Sequence, residues 1–213
     1  MDDVNYMLVW VAVHGLSPDE ASAALKMDVS QSAETCDVPG WPDFINRPDY
    51  HDRIFLGQLP GNWLLLFGNI DEEQKDLLAG LAEFGQAFVG DISRIGNYAE
   101  GRGYKDGEEA WVVDYDLESR GSGDLLTVEG RLPKALHALI AEARATEAQG
   151  QGSAIGVDVL FEVPGKLSKA ICGFSPHEEP PEGFRWSMLQ RIGGEPESKP
   201  KPKGLLARLF GVR

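Results

Sequence analysis

The chain has 213 residues, of which 42% are hydrophobic, and its formal net charge is −14. That apolar share supports a core without metal or disulfide staples, and the only cysteines, Cys36 and Cys172, share no ligand spacing and read as buried or idle thiols, a disulfide between them being the alternative. So negative a body repels phosphate backbones, which disfavours nucleic-acid binding.

The charge is unevenly placed. Residues 199–213 hold five cations (Lys199, Lys201, Lys203, Arg208, Arg213) and no carboxylate. The first 198 residues therefore carry 15 cations against 34 carboxylates, a formal charge of −19. Such a field draws in a basic protein partner and speeds its docking. No basic region precedes the first apolar run, Met7 to Val13, so no secretory signal is expected. That run is also far shorter than the roughly 18 residues of a membrane span. The expectation is a cytoplasmic protein.

Taken in chain order, Tyr6 to Val13 is apolar on both faces, as in a strand covered on both sides. Ser17, Pro18 and Glu20 form a capping box that opens a helix to about Met27, with Ala21, Ala24 and Leu25 inward. The stretch 28–52 is broken by prolines and glycine and reads as irregular. Ile54 to Leu59 and Trp63 to Phe67 flank Pro60-Gly61 as a hairpin. Asp71 caps a second helix, with Leu77, Leu78, Leu81 and Ala82 on one face and a stop near Gly85. Ala87 to Ile92 follows as a strand.

This order is that of a split βαβ, ferredoxin-like βαββαβ unit. Further strands are expected around Ile95–Ala99, Ala110–Leu117 and Leu125–Val128, with Asp106-Gly107 as a turn. A helix from Pro133 has Leu136, Leu139, Ile140 and Ala143 spaced for burial, with His137 half-buried on its flank. Residues 149–156 form a flexible connection. Pro164 starts another helix carrying Leu167, Ala170, Ile171 and Phe174, and Phe184 to Leu189 returns to the sheet. The fold class is α+β, a mixed, mostly antiparallel sheet with extra hairpin strands and helices on it. Residues 1–192 form one domain, 193–203 a Pro/Lys-rich linker, and 204–213 a short basic amphipathic tail. On a helix, Leu205, Leu206, Leu209 and Phe210 share a stripe, which suits a partner groove, an anionic membrane surface or the acidic body.

Motifs with a chemistry are sparse. No P-loop or dinucleotide fingerprint is present. Gly101-Arg102-Gly103 and Gly121-Ser122-Gly123 read as hairpin loops, and His14, His51, His137 and His177 have no zinc spacing. The densest constellation is Asp114-Tyr115-Asp116-Leu117-Glu118. Strand alternation sets Trp111, Val113, Tyr115 and Leu117 on one face and Asp114, Asp116 and Glu118 on the solvated other. Those carboxylates, with Glu108 and Glu109, are the candidate partner-binding residues. The alternative is a small enzyme or metal-binding domain using Asp114, Asp116 and Glu118. The spacing fails the calcium-loop pattern, and no zinc spacing or nucleophile-elbow motif is present, so no metal, cofactor or catalytic residue is expected.

Three stretches carry a resemblance. They are Gly15-Leu16-Ser17-Pro18-Asp19-Glu20 after the first strand, Gly61-Asn62-Trp63-Leu64-Leu65-Leu66, and Asn97-Tyr98-Ala99-Glu100-Gly101 leading to Trp111-Val112-Val113. Over residues 6–130 or so, the chain resembles small acidic bacterial immunity proteins of secreted polymorphic toxins. The resemblance implies a non-enzymatic inhibitor that neutralises a basic, often nucleic-acid-cleaving, toxin. It brings no catalytic residues with it.

Overall fold

The computed structural model describes residues 7–29, 53–68, 70–81, 85–93, 97–117, 125–149, 159–178 and 184–191. The linker 193–203, the tail with Leu205, Leu206, Leu209 and Phe210, Glu118 and the 121–123 glycine run lie outside them.

The chain opens with β1 (Met7–His14), α1 (Pro18–Leu25), β2 (Met27–Val29), β3 (Ile54–Leu59), β4 (Trp63–Gly68), α2 (Glu72–Gly80) and β5 (Gln86–Ser93). Then come β6 (Tyr98–Lys105), β7 (Glu108–Asp116), β8 (Leu126–Gly130), α3 (Lys134–Ala148), α4 (Val163–Cys172) and β9 (Trp186–Arg191). The strands form one sheet in the order β2-β9-β3-β4-β1-β5-β6-β7-β8. Its centre, β3-β4-β1-β5, has the strand order of the split βαβ unit expected from the sequence. Among the described residues every ladder in it is antiparallel, in keeping with the mostly antiparallel sheet expected.

Local chemistry explains the element ends. Ser17 and Glu20 make the expected capping box, the Glu20 carboxylate accepting from the Ser17 amide at 2.9 Å. Lys26 then turns left-handed and ends α1, and the chain pairs at once as β2 instead of staying irregular. Asp71 and Gln74 cap α2 in the same reciprocal way. Asp106 and Gly107, at φ 53° and 78°, form the two-residue turn that joins β6 to β7.

Both faces of the central strands are buried, which is why β1 reads as a continuous apolar run. Val9, Val11 and Val13 pack with Ala21 of α1 and Leu78 and Ala79 of α2. Leu8, Trp10 and Ala12 pack on the opposite side with Leu136 and Ile140 of α3 and Val163 and Leu167 of α4. Three aromatic rings on this second side occupy space that side chains would fill. A Cβ at Gly90 would lie 2.1 Å from the Trp10 ring and one at Gly103 2.1 Å from Trp111, while one at Gly101 would touch Phe88 at 3.0 Å. Gly101-Arg102-Gly103 is therefore strand, not a hairpin loop, and its glycines serve the aromatic packing. The β6 strand runs Tyr98–Lys105, C-terminal to the expected 95–99.

Three helical faces differ from the expectation. On α2 only Leu78 of the three leucines is buried. Leu77 and Leu81 are 42% and 37% exposed, and Lys75 takes the inward place. Ala170 of α4 is exposed. His137 is exposed rather than half-buried, its Nε2 3.1 Å from the Leu132 carbonyl oxygen, because α3 buries Leu136, Ile140 and Ala143 instead.

Candidate functional site

The two helical layers do not cover the sheet equally. The α1/α2 layer rests over β1, β3 and β5, and its buried cluster has no member from β6, β7 or β8, half-buried Tyr104 alone packing against it. The same side of those three strands carries Tyr98, Glu100 and Arg102 of β6, Val112, Asp114 and Asp116 of β7, and Thr127 and Glu129 of β8. Their opposite side carries Ala99, Trp111, Val113, Tyr115 and Leu126, buried beneath α3 and α4. One side of the β6–β8 extension is thus core and the other polar.

Register concentrates negative charge there. Asp91 pairs with Glu100 across β5 and β6, Glu100 with Asp114 across β6 and β7, and Asp114 with Thr127 across β7 and β8. Three carboxylates consequently stand side by side on three adjacent strands. Directly opposed residues have Cβ atoms about 4.5–5.5 Å apart, close enough for like charges to repel. Asp116 follows Asp114 on the same side and pairs with Tyr98.

Two cations hold the row together at one end. Lys75 reaches down from α2, with Nζ 2.8 Å from Asp91 and 2.7 Å from Glu72. Burial pulls its pKa down, but the hydrogen bonds and charges of Asp91 and Glu72 outweigh that and hold the ammonium above its ordinary value. Arg102 hydrogen-bonds Glu100 through Nε and lies 4.0 Å from Glu72. The Tyr98 hydroxyl is pushed up strongly, first by burial and then by the charge of Glu100, to which it is hydrogen-bonded. It remains a protonated donor.

Asp114 is the member left over. Its Oδ1 is buried and has no hydrogen-bond partner among the described residues. Burial raises its carboxyl above the usual aspartate value, and Glu100 and Asp116 add to the rise while Arg102 opposes it. An unpaired buried polar atom is costly, more so on a charged group.

The sequence placed Asp114 and Asp116 correctly on one face, opposite Trp111, Val113 and Tyr115. It expected that face to be solvated, whereas both aspartates are half-buried, because the neighbouring strands and their side chains flank them. Glu108 and Glu109 are exposed but do not join the row. They sit at the hairpin end of β7, beyond a register shift, opposite Lys105 and Tyr104. Sequence reasoning missed Lys75, Asp91, Glu100 and Arg102. Glu100 and Arg102 were legible in the alternation of YAEGRGYK, with polar residues at 98, 100, 102 and 104 and small ones between, had the glycines not suggested a loop.

Among the described residues, no group of His, Cys, Asp and Glu has an arrangement that would hold a metal ion, and no helix is long and apolar enough to cross a membrane. The molecule is an α+β protein with a half-buried carboxylate row on the side of its sheet extension that the α1/α2 layer leaves uncovered. No family model, curated protein or solved structure matches the chain.

Proposed function

We propose that this chain is a non-enzymatic acidic binding protein that docks a basic protein on the β6–β8 face, in the manner of an immunity protein that neutralises a basic toxin. The observation that supports this reading is the Oδ1 of Asp114, unpartnered among the described residues, within the row Asp91, Glu100, Asp114. A guanidinium or ammonium reaching that row gains charge-assisted hydrogen bonds, which are about twice as strong as neutral ones. It also relieves repulsion already present between neighbouring strands. The net charge of −14 adds long-range attraction for a cationic surface and repels free nucleic acid, so the toxin would be met as protein and not through its substrate.

The test is affinity capture from the source cell, followed by association kinetics with the purified partner. A basic partner is expected, with an on-rate that falls as salt shortens the Debye length from about 10 Å at 0.1 M. Asp114→Lys combined with Asp116→Lys should slow association at least tenfold, since steering by a charged face is worth about 10–10³ in on-rate. An acidic partner, or an on-rate indifferent to both salt and the double substitution, overturns the reading.

A further inference from the structure

The α2 helix presents an apolar pair where a surface helix normally presents charge. At 100° per residue, Leu77 falls on the side opposite the buried Lys75, Leu78 and Ala79, and Leu81 follows one turn later on the same line. Acid surrounds the pair. Asp71, Glu72, Glu73 and Asp76 lie on or just before the helix, and its one cation, Lys75, is buried and bound to Glu72 and Asp91. At its C-terminal end the helix meets the β6–β7 turn, a Cβ on Gly107 lying 3.8 Å from the Gly80 carbonyl oxygen. That turn contains the exposed Asp106 and is followed by the exposed Glu108 and Glu109.

The complementary segment is in this same chain. Residues 199–213 combine five cations and no carboxylate with Leu205, Leu206, Leu209 and Phe210 at helical spacing. The described chain ends at Arg191, which pairs with Met27 just after α1, and α1 packs beside α2. Packed helices lie about 8–10 Å apart. The 12 residues from 192 to 203 span up to about 40 Å when extended, or about 20 Å as a flexible coil. The tail therefore reaches α2 without strain.

We propose that the C-terminal segment 204–210 docks on its own chain, seating its leucine stripe on Leu77 of α2 and Leu81 at its C-cap, with Arg208 and the flanking Lys203 and Arg213 against Glu73, Asp76 and the β6–β7 turn. Two turns of helix are marginal alone, but a tether of this length gives an effective concentration of about a millimolar. An intrinsic affinity of only ~0.1 mM then keeps the segment seated for about nine-tenths of the time.

A photo-crosslinking residue at position 77 of the full chain, with a second placement at the exposed Glu142 of α3 as control, tests this. Irradiation should join position 77 to residues 204–210 within one chain, with a yield unchanged on dilution, and the control should not. Leu205→Asp with Leu209→Asp should lower that yield at least tenfold, since each replaces an apolar side chain in the contact by a charge. Crosslinks only between chains, growing with concentration, assign the patch to a second copy and overturn the proposal. So does the absence of any crosslink to the tail, or a yield that ignores the aspartates. A body that unfolds when the tail carries them would place the tail in the core and overturn it as well.

Discussion

Substituting Lys75 by methionine tests whether the acidic row depends on one buried cation. Lys75 is 5% exposed, and its two partners differ sharply. The Glu72 side chain is 68% exposed, so its pair with Lys75 contributes little. The Asp91 side chain is only 16% exposed and lies beside Glu100 in the ladder. Methionine keeps most of the stem volume but removes the charge, leaving Asp91 next to Glu100 with Arg102 already engaged by Glu100. Breaking a fully buried pair costs about 3–5 kcal/mol. Asp91 keeps some access to water, so about 2–3 kcal/mol is expected here. For a chain of this length that is a fall in Tm of roughly 5–10 °C. Thermal and urea unfolding at neutral pH measure it, with an unchanged m-value showing that stability alone has moved. Combining Lys75→Met with Asp91→Asn should cost about 1–2 kcal/mol less than the sum of the single substitutions. A loss below about 0.5 kcal/mol for Lys75→Met, or strict additivity, would refute the buried pair.

Three further outcomes follow from the same geometry. Because the folded state raises the Asp114 pKa, its contribution to stability is fully present below the ordinary value of 3.8 and is lost as pH rises through the folded value. Asp114→Asn should therefore raise Tm at pH 7, make little difference well below the ordinary value of 3.8, and weaken the proposed basic partner, as paired melts and binding curves would show. Gly103→Ala must displace the Trp111 ring and should cost about 1–3 kcal/mol in urea unfolding. Gly80→Ala meets nothing within 4 Å at the end of α2 and should gain about 0.5–1 kcal/mol; equal effects at the two glycines would contradict the packing described.

Local signals in the sequence carried most of the fold. Capping boxes at Ser17 and Asp71 need only a few neighbouring residues, so both helix starts were legible. Alternation along β7 likewise separated Trp111 from Asp114. What failed was long-range. The glycines of β6 resemble loop residues until Trp111 and Phe88, from neighbouring strands, are placed over them. Leu77 and Leu81 look like core by composition, yet the angle at which α2 meets the sheet gives the inward position to Lys75. Its carboxylate partner Asp91 lies 16 residues away on β5, so no local window contained the pair. Two of the three members of the acidic row were hidden for the same reason, because Asp91, Glu100 and Asp114 meet only through two ladder registers.

The two sides of the β6–β8 extension explain why such a row can exist. A row of adjacent carboxylates resists folding, and in a free-standing hairpin it would splay the strands. Here Trp111, Val113, Tyr115 and Leu126 anchor the far side of the same strands under α3 and α4. Burial of one such aromatic or aliphatic side chain contributes about 1.5–3 kcal/mol, comparable with or larger than a cross-strand repulsion of about 0.2–1 kcal/mol. Core packing on one side thus fixes backbone positions that the charges on the other side would not choose. The carboxylates are thereby held close together by the fold itself, so under the proposed function a docking cation would meet an arranged group instead of having to order one. Asp114 belongs to that arrangement at a cost to the fold, a cost that the proposed docking of a cation would relieve.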